Sequence, residues 1–298
     1  MKSARSGLGS AEKGAEASVT RAACAFAVLA AAVSVASVSP AVAGAGAPDL
    51  DTRLRLLIES YPGVVEAVEG NTLRLASGAG LVIDDGRQKT HEQKLADADI
   101  EDMLSQVYPL VACAGDSKPE RNFDPGRIRN EAFFKAVYGA SEAAVRVSLA
   151  RVDWFGKPLS FTRTAGAVAA LERVKQELAA LPATVKPVYG VSAGTFVWRK
   201  IAATNRLSVH SFGAAIDLNT AYADYWIWSG GKPGAVPVYK NRIPLWIVEA
   251  FERHGFIWGG RWYHYDTMHF EYRPELIAIA RAAAPECAPE AEEAPAGR

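Results

Sequence analysis

Apolar residues recur at steps of three and four across 164–181, and Pro182 closes the run. Val168, Leu171, Val174, Leu178 and Leu181 then share one face, which predicts an amphipathic helix. It is the longest regular stretch, and its neighbours are of both kinds. Residues 128–138 read as a helix stopped by Gly139, and 151–161 as extended chain. Residues 185–199 also read as extended, with bends at Gly190 and Gly194. A short strand is expected at 214–218, a long Trp/Gly/Pro-rich loop at 222–239 and a helix at 243–254. In that helix Pro244 lies near the first turn and Gly255 just past the end. A strand at 268–272 and a last helix at 276–283 complete the series. Helices and strands interleave without a regular βαβ cadence. That predicts an α+β fold, a small, mostly antiparallel sheet flanked by helices.

The front of the chain reads differently. Lys2, Arg5, Lys13 and Arg21 precede an apolar run over 22–43 that ends in Ala41-Val42-Ala43. This is the layout of a secretory signal peptide at 1–43, with an uncleaved membrane anchor as the alternative. Export to the periplasm or the cell exterior follows, with no stable membrane insertion after cleavage. Residues 44–105 read as a Gly/Ala/Pro linker and a small N-terminal β-rich lobe. Within them, short apolar runs around Leu54, Val64, Leu73 and Leu81 end at Pro62-Gly63, Gly70-Asn71 and Asp84-Asp85-Gly86. The last of these reads as a turn and not a calcium loop. The polar stretch 89–102 reads as a loop or an exposed helix. The main domain spans 106–284, and a Pro/Glu/Ala tail at 285–298 reads as disordered.

Of the three cysteines, Cys24 lies in the signal segment, leaving Cys113 and Cys287. In an exported chain these read as one disulfide, with two buried thiols as the alternative. Lys+Arg and Asp+Glu both number 33, so the formal net charge is zero. A phosphate backbone needs a basic excess, so nucleic acid is not expected as a partner. A monomer is expected.

Chemistry concentrates in two short segments. Ser208-Val209-His210-Ser211-Phe212-Gly213-Ala214-Ala215-Ile216-Asp217 holds one, and Asp266-Thr267-Met268-His269-Phe270-Glu271 the other. Catalytic zinc takes three protein ligands from His, Cys and carboxylate and leaves the fourth position to water. His210, Asp217 and His269 supply such a set. Ile216 and Leu218 alternate with Asp217, which turns its carboxylate away from their packing. Asp266 is placed to act as general base and then acid. Glu271 shares a strand face with His269 and can support it. Either segment alone is weak; together they are specific.

The form Ser-x-His-x-x-Gly-x-Ala-x-Asp at 208–217 resembles the first zinc motif of the D-alanyl-D-alanine carboxypeptidase and L-alanoyl-D-glutamate peptidase family. Gly255-Phe256-Ile257-Trp258-Gly259-Gly260, Trp262 and 266–271 resemble the second. The resemblance covers about 185–275 and is weak for the N-terminal lobe. It implies a Zn2+ peptidase acting on peptidoglycan peptides, associated with the cell wall, with a single zinc held by His210, Asp217 and His269. It gives Asp266 the role of base. It offers Arg199 for the arginine that grips a substrate carboxylate or the developing oxyanion, although the usual Ser-Gly-Tyr-Arg form is absent. Arg206 competes for that role. Ser208 orients its loop or meets substrate, and Trp262 joins Trp226, Trp228 and Trp258 as groove or core. His264 reads as packing or support, and His91 and His254 as surface or cap groups. Which bond is cut, a terminal D-alanine or an internal stem bond, stays open.

The rival reading is a zinc-containing binding module without turnover on the same fold. A serine hydrolase built on Ser208 and His210 is weaker, because no nucleophile elbow is present.

Overall fold

The computed structural model describes residues 46–202 and 204–287, so the expected signal peptide and residues 288–298 lie outside the described residues. The first element of the described residues is helix α1 (Leu50–Ser60), started by Asp49, whose carboxylate accepts from the Thr52 amide at 2.8 Å. The strand-rich expectation therefore fails at its first step. Leu50, Leu54, Leu57 and Tyr61 recur at helical spacing, and the last three are buried. Strands do follow: β1 (Val65–Glu69), β2 (Thr72–Leu75) and β3 (Gly80–Val82) form an antiparallel sheet in that order.

The polar stretch after them folds into α2 (His91–Ala96) and α3 (Ile100–Leu104), and α3 is not exposed. Ile100, Met103 and Leu104 are buried. The Lys89 ammonium sits among Asp85, Asp99 and Asp102 at 2.7, 3.0 and 2.5 Å, so these acids already hold a cation.

Short helices α4 (Val111–Ala114), α5 (Glu131–Tyr138) and α6 (Glu142–Ser148) lead to the hairpin of β4 (Leu149–Trp154) and β5 (Lys157–Thr162). The long amphipathic run becomes α7 (Ala167–Ala179). Where extended chain was expected, Lys186–Tyr189 forms helix α8, and only Ser192–Gly194 forms a strand, β6. Then come β7 (Ala215–Leu218), α9 (Leu245–Arg253), β8 (Phe256–Trp258), β9 (His269–Tyr272) and α10 (Pro274–Ala283). The architecture is α+β, with small antiparallel sheets.

The central sheet has the order β6-β7-β9-β8, every pair antiparallel. Ile216, Leu218 and Phe270 pack with Leu171, Val174 and Leu178 of α7 and with Ile247, Val248 and Phe251 of α9. Phe251 stacks on Phe270 with ring centroids 4.0 Å apart. Burying each of these side chains contributes about 1.5–3 kcal/mol. Alternation along a strand then sends Asp217, His269 and Glu271 to the opposite face.

That opposite side is closed by the N-terminal segment. Leu54, Leu57 and Tyr61 share one core with Leu276, Ile277 and Ala280 of α10 and with Val209 and Phe212. The Tyr61 hydroxyl donates to Glu275 at 2.7 Å, and the same carboxylate accepts from Arg273 Nε at 2.6 Å. A disulfide joins Cys113 to Cys287, with Cα atoms 5.4 Å apart across 174 residues of sequence. Such a crosslink stabilises mainly by restricting the unfolded chain, typically by about 2–4 kcal/mol. Among the described residues no helix is long and apolar enough to cross a membrane.

Candidate active site

His210 lies in a single 3-10 turn, Val209–Phe212, immediately before β7. Ser208 starts the turn: its hydroxyl accepts from the His210 amide at 3.4 Å. Gly213 ends it at φ +63°, where a Cβ would stand 2.5 Å from the Leu149 side chain. Glycine is required there both by the backbone and by the space. The chain then enters β7, whose register sets Asp217 directly opposite His269 on β9. Strand pairing thus joins two segments that lie far apart in sequence.

Their side chains converge. His210 Nε2 is 3.1 Å from His269 Nδ1. His269 Nδ1 is 2.8 Å from Asp217 Oδ1, and His210 Nε2 is 3.2 Å from Asp217 Oδ2. Zinc–ligand bonds of about 2.0–2.1 Å in a tetrahedron give donor–donor edges of roughly 3.3 Å. The three side chains therefore stand close to the spacing that one zinc ion imposes.

The outer nitrogens decide what this triangle is. His210 Nδ1 lies 2.5 Å from the Thr195 carbonyl oxygen, which only accepts, so Nδ1 carries the hydrogen. His269 Nε2 lies 2.9 Å from Glu271 Oε1, so that nitrogen is the donor as well. In the neutral rings, two imidazole lone pairs and a carboxylate then face one point. Without a cation these acceptors repel one another; with one they are satisfied.

The electrostatics agree. Burial would lower the His269 pKa, but the hydrogen bonds to Asp217 and Glu271 outweigh it and hold it up at about 10. Burial would raise Asp217, yet His210 and His269 pull it well below the usual carboxylate range. Glu271, likewise buried, is held down to about 2 by Arg129 and His269. Arg129 Nη1 reaches it at 3.2 Å. Without a metal, His269 therefore carries a proton on its inner nitrogen as well, and a metal ion would take that proton's place.

Asp266 lies in the same pocket and is pushed up to about 6 by burial, against the pull of His269. Its Oδ1 is buried with no hydrogen-bond partner among the described residues. Its amide donates to the Gly259 carbonyl at 3.0 Å, and a Cβ on Gly259 would stand 2.5 Å from the main-chain carbonyl oxygen of Asp266.

A strap formed by residues 123–129 braces this turn. Tyr263 N donates to Phe123 O at 2.7 Å, and Trp262 Nε1 to Pro125 O at 2.6 Å. The Asp124 carboxylate accepts from both the amide and Nδ1 of His264, each at 2.9 Å. Arg127 Nη1 donates to the His264 carbonyl at 3.0 Å. The sequence gives no local sign of this strap except Asp-Pro-Gly, which reads as a turn.

Of the remaining candidates, Arg199, Arg206, Ser208 and Trp262 line a pocket of about 110 Å³. Arg199 is exposed and lines its rim, and Arg206 is half-buried in its wall. Ser208 is buried and caps the His210 turn. Trp262 is buried under the Arg127 guanidinium, with its ring centroid 5.5 Å from that of His269. Trp258 is core, and Trp226 packs edge-on against His264, leaving Trp228 as the exposed one. His254 caps α9 and bonds Glu177. His91 is not a surface group: its side chain is buried, with Nε2 at 2.9 Å from Asp124 Oδ2.

No curated protein and no solved structure matches the chain. A family model described as D-alanyl-D-alanine carboxypeptidase matches residues 202–272, and this stretch, which holds His210, Asp217, Asp266 and His269, is therefore similar to that zinc peptidase family.

Proposed function

We propose that the protein is a zinc metallopeptidase that hydrolyses peptidoglycan stem peptides outside the cytoplasm. The observation that carries this reading is the inward-facing triangle of His210, Asp217 and His269 beside the buried, unpartnered carboxylate of Asp266. Zinc held by that triangle supplies Lewis acidity at the scissile carbonyl and acidifies a water molecule.

The chain's own residues do the rest. Asp266 takes a proton from the attacking water and returns it to the leaving amine. Burial raises its pKa above that of an ordinary aspartate, which favours the return of the proton to the leaving amine. Thr195 and Glu271 hold the two imidazoles in the tautomers that aim their lone pairs inward. Arg199, at the rim, meets a carboxylate of the substrate or the developing oxyanion. Trp262 and Tyr225 wall the pocket. The Cys113–Cys287 disulfide suits an oxidising compartment.

Hydrolysis of stem peptides and muropeptides tests this, with products identified by mass so that terminal and internal cleavage are separated. Chelation abolishes activity and zinc restores it. Asp266→Asn keeps the zinc and lowers kcat by about 10²–10⁴-fold. Turnover indifferent to both treatments ends the metallopeptidase reading. Zinc binding with no turnover of any stem peptide favours a binding module instead.

A further inference from the structure

Arg127, Arg199 and Arg206 line the pocket without a carboxylate in ion-pair contact among the described residues, whereas Arg129 beside them pairs with Glu271 at 3.2 Å. Arg199 is exposed, but Arg127 and Arg206 are half-buried and adjacent. One nitrogen of each is tied to backbone: Arg206 Nη1 donates to the Arg127 carbonyl at 3.0 Å, and Arg127 Nη1 to the His264 carbonyl at 3.0 Å. The Arg127 guanidinium also lies 5.2 Å over the Trp262 ring. Both heads are thus positioned, and most of their five N–H donors remain free.

Two like charges in a half-dry wall are costly without a counterion. Arg206 shows the cost: burial and then the charge of Arg127 lower its pKa. The nearby acids are committed elsewhere. Asp217 and Glu271 serve the two histidines, and Glu131 bonds Lys135 at 2.6 Å and the Leu207 amide at 3.2 Å. Asp266, the remaining acid of the pocket, feels the charge of Arg127 but makes no ion pair with it, which leaves the two guanidinium heads open to an anion from outside the chain.

We propose that Arg127 and Arg206 form an anion subsite that takes a carboxylate of the peptide substrate, separate from the group met by Arg199. This rests on the peptidase reading and narrows it. The preferred substrate carries a carboxylate near the cleaved bond for this pair, besides the group that Arg199 meets.

The test compares three forms of one stem pentapeptide, L-Ala-γ-D-Glu-L-Lys-D-Ala-D-Ala: the free acid, the D-glutamyl α-amide and the C-terminal amide. Binding is measured by calorimetry on zinc-loaded Asp266→Asn protein, and hydrolysis on the unaltered chain. One of the two amidations weakens binding by roughly 10–100-fold, the range for a hydrogen bond between charged groups. That penalty disappears in Arg127→Gln and in Arg206→Gln, which bind the free acid and the amide alike. Equal binding of all three forms overturns the subsite, and so does the survival of every amidation penalty in both variants. The unaltered chain reports without any substitution, so a misfolded variant does not decide the matter. Hydrolysis of all three forms without discrimination removes the subsite and leaves the peptidase. Failure to hydrolyse any of them removes the peptidase.

Discussion

Two clusters of the same composition, two histidines and one aspartate, lie within this fold, and they are built for opposite purposes. In each, the candidate donor atoms approach within 4.8 Å of one another. At His210, Asp217 and His269, the outer nitrogens donate to Thr195 and Glu271, so the inner ones are free acceptors. At His91, Asp124 and His264, the outer nitrogen of His264 accepts from the Gly234 amide at 3.1 Å, which makes its inner nitrogen the donor to Asp124. The first triangle takes a cation at its centre, either a metal ion or the proton that His269 holds without one. The second is already closed by hydrogen bonds, and a metal would have to break one to enter. The residue set does not separate the two; the groups behind the imidazoles do.

The contrast can be broken in several ways, taken from the largest effect to the smallest. Glu271→Gln still accepts a hydrogen bond but loses the charge that supports His269, so zinc affinity falls by about 10–100-fold. Competition titration against a chromophoric chelator measures it. Asp124→Asn leaves zinc stoichiometry unchanged and costs about 1–3 kcal/mol of stability, since it weakens the hold on His264 and His91. Denaturant unfolding reads that cost. A variant that loses zinc and keeps its stability would reverse the assignment of the two clusters.

The smallest effect is on acid stability. Burial opposes the ionised Asp124, but its bonds to His264 and His91 hold its pKa far below the ordinary aspartate value of 3.8. A group depressed on folding contributes stability above its unfolded pKa and loses it as pH falls through the folded one. Unfolding followed below about pH 4 should therefore weaken more steeply in the unaltered chain than in Asp124→Asn. Parallel curves would show that Asp124 carries no such load.

Much of the central sheet was legible in sequence, because period and spacing are local signals. The helix at α7, the strands bearing Asp217 and His269, and the shared face of His269 and Glu271 all follow from counting residues. Helix α1 was obscured because Leu54, Leu56 and Leu57 look like a strand run when the longer helical repeat through Tyr61 is overlooked. The short turn of α8 leaves too few residues for a period to show. The supports of the site were illegible for a different reason. Thr195 acts through its carbonyl, which every residue possesses, and the strap at 123–129 contacts a turn about 140 residues away. Arg127 was missed on the same ground: nothing near it in the sequence marks it as part of a pocket. His91 read as a surface group because its buried partner Asp124 is distant in sequence.

Elemental analysis of zinc bound per purified chain, compared between His210→Ala and His91→Ala, tests the central claim most directly. One zinc per chain in the unaltered protein and in His91→Ala, with none in His210→Ala, is the expected result. Zinc retained by His210→Ala and lost from His91→Ala would contradict it.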